Sequence, residues 1–221
     1  MKTAILVDGG FYRRRAFVAY GNKPPKERAE ELINYCWRHL NWHGEQKNDL
    51  YRIFYYDCPP ITKQVYHPLT GKSIDLSKSP QYKWTNDFLS ELKKKRKVAL
   101  RLGEISEVSA HYVLKDNIVN KLFRNELQLS DISENDFIYK AEQKGVDMKI
   151  GLDIASMSYK KQVEQIVLIS GDSDFVSAAK LARREGIDFI LDPLFANIKP
   201  NLFEHIDALR TCDSVFKQDT K

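Results

Sequence analysis

The stretch Ile166-Val167-Leu168-Ile169-Ser170-Gly171-Asp172-Ser173-Asp174-Phe175 decides how this chain folds. Four aliphatic residues in an unbroken run, 166–169, suit a strand buried on both faces, and Gly171 then turns the chain towards a helix. Asp172 and Asp174 therefore fall where a parallel strand ends. In an open α/β sheet that edge is where ligands bind, because side chains there leave the packed interior while their backbone stays fixed. The chain opens with the same grammar: Thr3-Ala4-Ile5-Leu6-Val7 delivers Asp8, followed by Gly9 and Gly10.

Working outward, the pattern predicts a helix over 11–20 and a strongly amphipathic one over 26–43, where Ala29, Leu32, Ile33, Cys36, Trp37 and Leu40 recur at helical spacing. An aromatic-rich strand over 50–56 ends at Asp57-Cys58-Pro59-Pro60, since prolines cannot continue a ladder. A long polar loop follows over 58–80, then a helix over 81–97 with a basic end and a strand over 98–102. Scattered apolar residues over 105–135 suggest a helical insertion. The stretch Lys144-Gly145-Val146-Asp147-Met148-Lys149-Ile150-Gly151-Leu152-Asp153 introduces a helix running to about 161, with Asp153 near its start. Beyond the quoted stretch come a buried helix ended by Gly186, a strand over 187–191 and a short closing helix over 202–209. Strands alternating with helices at this spacing mean βαβ units: an α/β fold with a parallel, doubly wound sheet.

The length of 221 residues suits one domain, 1–221, carrying the loop and the insertion as decorations. No apolar run reaches the roughly 18 residues of a membrane helix, and no secretory signal opens the chain, so a cytoplasmic location is expected. Cys36, Cys58 and Cys212 are odd in number and far apart, which argues against a disulfide framework. Cys36, His39 and His43 share a predicted helix at metal-like spacing, but a fourth ligand is not evident, and Cys36 reads as a small buried hydrophobe. The formal charge of +5 is modest. Its distribution matters more, because basic residues run in blocks at Arg13-Arg14-Arg15, 93–97, Lys160-Lys161 and Arg183-Arg184. Arg13 and Lys160 are taken from these blocks as candidate phosphate contacts for a polyanionic partner.

Five carboxylates stand where this topology can bring them together: Asp8, Asp147, Asp153, Asp172 and Asp174. Such a cluster suits Mg2+ or Mn2+, hard cations held by a few carboxylates and water with room for a phosphate oxygen. Taken in order, Val7-Asp8-Gly9-Gly10, Lys144-Gly145-Val146-Asp147, Asp153 heading a helix, and Ser170-Gly171-Asp172-Ser173-Asp174-Phe175 resemble the NYN domain family, in its bacterial LabA-like branch. That family lies among the PIN-like nucleases.

The resemblance implies an αβα sandwich around a five-stranded, mostly parallel sheet and metal-dependent cleavage of RNA. Asp8, Asp153, Asp172 and Asp174 match the family's strand-end and helix-head acids and Asp147 its Lys-Gly-x-Asp motif; the division of labour expected here is that Asp8, Asp153 and Asp172 hold the metal directly, while Asp174 and Asp147 ligate through water or orient the attacking water. Lys149 is expected at a phosphate, and Ser170 against a ligand carboxylate. Many relatives carry asparagine three residues after the first acid; this chain has Phe11 there. Two rival readings are a catalytically weak RNA-binding or regulatory module and a phosphatase of the haloacid dehalogenase type. The latter usually wants a second acid at position 10, which is glycine here. Oligomeric state is not legible.

Overall fold

The computed structural model describes residues 1–41, 48–106 and 108–219. His43, the third member of the Cys36/His39/His43 set, lies outside the described residues. In chain order the elements are β1 (Lys2–Asp8), α1 (Gly9–Tyr20), α2 (Pro25–His39), β2 (Asp49–Asp57), β3 (Gln64–Tyr66), β4 (Ser73–Asp75), α3 (Pro80–Lys93) and β5 (Val98–Leu102). There follow β6 (Glu104–Ile105), β7 (His111–Leu114), α4 (Asp116–Phe123), β8 (Phe137–Lys140), β9 (Gln143–Lys144) and α5 (Val146–Tyr159). The last are β10 (Gln165–Ile169), α6 (Val176–Arg184), β11 (Asp188–Asp192), α7 (Pro200–Phe203) and β12 (Ala208–Leu209).

Six strands form one sheet in the order β12-β11-β10-β1-β2-β5, every neighbouring pair parallel. Because side chains alternate across a strand, β1 sends Ala4 and Leu6 to one face and Ile5 and Val7 to the other. The first face packs on α5 and α6 through Ile150, Ile154, Met157, Phe175 and Ala179. The second packs on α1, α2 and α3 through Tyr12, Ala16, Leu32, Tyr35, Phe88 and Leu92. The result is a three-layer αβα sandwich with β1 and β10 at its centre. Chain order reverses between these two strands, so the crevice at their carboxyl ends is the topological switch point.

Five of the six strands lie where hydrophobic runs place them. The sixth, β12, replaces most of the expected closing helix over 202–209: α7 stops at Phe203, and Ala208 and Leu209 pair with Ile190 and Leu191. The expected loop over 58–80 contains the antiparallel pair β3 and β4. The expected helical insertion is helical only in α4; the rest is framed by the antiparallel pairs β6 with β9 and β7 with β8. Among the described residues, no helix is long and apolar enough to cross a membrane.

Candidate active site at the sheet switch point

Asp8 ends β1 and caps α1, its Oδ1 accepting the Phe11 N–H at 3.0 Å. Gly9 makes that tight handover possible: a Cβ there would stand 2.6 Å from the Tyr56 carbonyl oxygen and 2.4 Å from the Tyr55 ring. On the neighbouring strand, the buried Ser170 Oγ donates to Asp8 Oδ2 at 3.3 Å and accepts the Asp172 N–H at 3.2 Å. One hydroxyl thus ties the two strand-end acids together. Asp172 Oδ1 accepts the Asp174 N–H at 3.0 Å and fixes the turn into α6. The ring of Phe11 lies against Gly171, where a Cβ would be 2.5 Å from it.

Asp8, Asp147 and Asp172 line one cleft of about 1000 Å3. Burial pushes the Asp8 carboxyl above its ordinary value against the lowering effect of the Phe11 N–H, and the Asp147 charge pushes it further. Asp147, in the first turn of α5 after the left-handed Gly145, is raised by burial and by the charges of Asp172 and Asp174. The structure therefore brings Asp8, Asp147, Asp172 and Asp174 into one electrostatic group.

It does not bring Asp153 there. Six residues along a helix turn the side chain about 240° from Asp147, and the Asp153 carboxylate instead accepts from Arg101 Nε at 2.9 Å and the Tyr56 hydroxyl at 2.8 Å. Lys160 caps the far end of α5, about 20 Å from Asp147 at 1.5 Å per residue, too distant to contact the same phosphate. Lys149 sits in the first turn of α5, partly buried, and is not among the cleft-lining residues. Ser170 is wholly buried and donates to Asp8, one of the carboxylates expected to ligate the metal, but does not line the cleft as a substrate contact would. Arg13 does line the cleft, but its guanidinium is committed to the buried Asp57 at 2.9 Å.

Several participants escaped the sequence reading. Asp57 ends β2 as Asp8 ends β1, so the shared grammar was visible; what was not visible was that Arg13 would neutralise it and the Tyr55 hydroxyl donate to it. Arg28, Trp84 and Gln143 also line the cleft. They come from elements far apart in sequence and carry no motif.

This is an α/β domain with acids gathered at the switch point of a parallel sheet, the arrangement of the PIN-like nuclease superfamily. The family model described as NYN domain matches residues 74–199, more than half of the sequence, and the chain belongs to that family. The match takes in Asp147, Asp172 and Asp174 and begins beyond β1, so it is the fold that adds Asp8 to them. No curated protein matches the chain. Among solved structures, a protein of unknown function from Vibrio parahaemolyticus is similar, with a TM-score of 0.50 and 17% identity, over 97% of this chain and 94% of that one. A maltogenic alpha-amylase from Thermotoga neapolitana aligns at a TM-score of 0.23 and 11% identity, over 94% of this chain and 48% of that one, and supports no inference.

Proposed function

We propose that the chain is a metal-dependent ribonuclease of the LabA-like branch, hydrolysing RNA phosphodiester bonds with Mg2+ or Mn2+. The observation that carries this reading is the meeting of Asp8 and Asp172, from strands separated by most of the chain, in one cleft with Asp147. The Lys144-Gly145-Val146-Asp147 sequence at the head of α5 supports the branch.

The donor set is all carboxylate oxygen, which is what a hard cation takes. Among the described residues no three Asp, Glu, His or Cys side chains enclose an ion unaided. Mg2+ is commonly held by one or two carboxylates, with waters and substrate phosphate completing its shell, and Asp8 with Asp172 supply that number. A cation so held would stabilise charge on the phosphate and on the leaving oxygen. Asp8 is aimed by the Phe11 N–H and by Ser170. Asp147, made more basic by burial and by its carboxylate neighbours, orients the attacking water and receives its proton. Asp174 holds the acidic field around it. Asp153 is not assigned to the ion, because Arg101 and Tyr56 already satisfy it.

The test is Mn2+-dependent cleavage of a single-stranded RNA by wild type, Asp172→Asn and Asp147→Asn, with Mn2+ binding measured by calorimetry. Asp172→Asn should lose both metal affinity and turnover, whereas Asp147→Asn should lose turnover by at least 10²-fold while retaining most of the metal affinity. Wild type that binds RNA and Mn2+ but cleaves nothing would favour the RNA-binding module, a reading consistent with the open ligand set.

A further inference from the structure

We propose that the outer half of this cleft is a stacking platform for an unpaired nucleobase, built by Phe17, Val18 and Trp84; this rests on the cleft being the nucleic-acid site. The residues of α1 that line the cleft, Gly10, Arg13, Arg14, Phe17 and Val18, recur at i, i+3, i+4, i+7 and i+8 and so form one face of the helix. The face begins beside Asp8, passes the arginines and ends on two apolar side chains. Phe17 is 58% and Val18 56% exposed, an adjacent pair of large apolar groups facing open solvent inside a cavity.

The N-terminal part of α3 lines the same cleft through Pro80, Gln81 and Trp84. Trp84 is fixed from behind. Its indole N–H donates to the Lys23 carbonyl at 2.9 Å, and its ring stacks on the buried Phe88 at 5.1 Å and 15°. An aromatic surface already immobilised loses little freedom when a base arrives.

Spacing and charge select the occupant. Gly10 and Phe17 are seven residues apart, about 10 Å along the helix axis, or roughly three nucleotides at a stacked rise of about 3.4 Å. The exposed Arg14 lies between, and its charge is felt at Asp8. A strand whose scissile phosphate sits at the acids would pass its backbone along Arg14 and lay a base on the apolar part of the cleft that Phe17 and Trp84 line. Stacking of this kind accepts any base but requires that the base be unpaired.

The experiment measures anisotropy of a fluorescein-labelled eight-nucleotide oligouridine strand in Ca2+ buffer, with wild type, Phe17→Ala and Phe17→Trp, and repeats it with a strand made abasic throughout. Phe17 is exposed, so its removal should leave the fold intact, which circular dichroism checks. Phe17→Ala should bind the normal strand roughly tenfold more weakly, Phe17→Trp should bind it at least as well as wild type, and on the abasic strand all three should coincide. Equal binding by wild type and Phe17→Ala would overturn the platform while leaving the nuclease reading in place. An equal loss on the normal and abasic strands would also overturn it, since Phe17 would then be serving something other than a base. If wild type binds no strand at all, the nucleic-acid reading falls and takes the platform with it.

Discussion

The acids at the ends of the sheet strands, with Asp147 at the head of α5, are divided by their surroundings into two kinds. Asp57 is buried against Arg13, Tyr55 and its neighbouring backbone N–H. Asp192, at the end of β11, accepts from the Tyr35 hydroxyl, His39 Nε2 at 2.9 Å, the Leu194 N–H at 2.9 Å and Thr211 Oγ1 at 2.7 Å. Both charges are consumed by the fold. That also answers the cysteine and histidine spacing on α2, since His39 is engaged by Asp192 and Cys36 is packed in the core. Asp192→Ala should therefore destabilise by about 3–5 kcal/mol, because it strands several buried partners at once; a urea midpoint close to wild type would refute this. Asp8 and Asp147 behave oppositely, being raised by burial and by like charge. An acid raised in the folded state binds protons more tightly there. Its contribution to stability is fully present below the unfolded value of about 3.9 and is lost as pH rises through the folded value. At neutral pH without metal, these carboxylates consequently strain the fold. Asp8→Asn, which keeps the cap on α1, should raise the melting temperature of EDTA-treated protein by a few degrees, with 1 kcal/mol equivalent to roughly 2–4 °C at this size. The gain should vanish near pH 4 and be reversed by Mn2+, which stabilises wild type only.

At the scale of elements, the helix that follows β1 is positioned by a steric requirement rather than by propensity. Gly9 sits against the backbone carbonyl of Tyr56, whereas a Cβ on Gly10 would meet nothing nearer than 3.6 Å. Gly9→Ala should thus cost about 1–3 kcal/mol through overpacking, and Gly10→Ala, in a helical site that favours alanine, should be neutral or slightly stabilising. Equal melting temperatures for the two would show that α1 can shift away from the sheet. The same elements show what the sequence could disclose. β1, β10 and β11 carry continuous buried hydrophobic runs, β2 and β5 shorter ones each broken by an arginine, and α2 a regular apolar stripe, so burial wrote most of the sheet into the chain. β12, β6 and β9 have two residues each, too few to display a period, and they exist because a neighbouring edge supplies partners. The acids at the strand ends were legible for the same reason as the strands. Asp153 was misplaced because its distance along α5 was apparent and its angular position relative to Asp147 depended on where the helix begins.

In the whole molecule, the two decorations that look independent in sequence are joined. His67, buried just after β3, packs its ring against Tyr112 of β7 at 5.1 Å and Phe137 of β8 at 4.8 Å. Lys63 reaches from the same loop to the Ala110 carbonyl at 3.2 Å. The insertion is closed at its neck by β6 pairing with β9, so its ends meet beside the sheet and its closure entropy is met locally. Ala141 and Gln143, at that neck, line the cleft, which makes the decoration one wall of the site. None of this has a sequence signal, because a lone histidine in a polar loop does not announce which distant aromatics will enclose it. A satellite held by a few ring contacts should open separately from the six-stranded sheet. His67→Ala removes two aromatic pairs, worth about 1–3 kcal/mol together. Amide exchange should then accelerate roughly tenfold or more in β3, β4, β7 and β8 together, while the amides of β1, β2 and β10 keep their wild-type protection. Acceleration confined to β3 and β4 would show that the hairpins are not coupled through His67, and acceleration reaching β1 would show that the decoration and the sheet open as one unit. Where that coupling operates in wild type, losing it in the same variant should weaken single-stranded RNA binding without altering the melting of the core, because only the wall carrying Gln143 would have loosened.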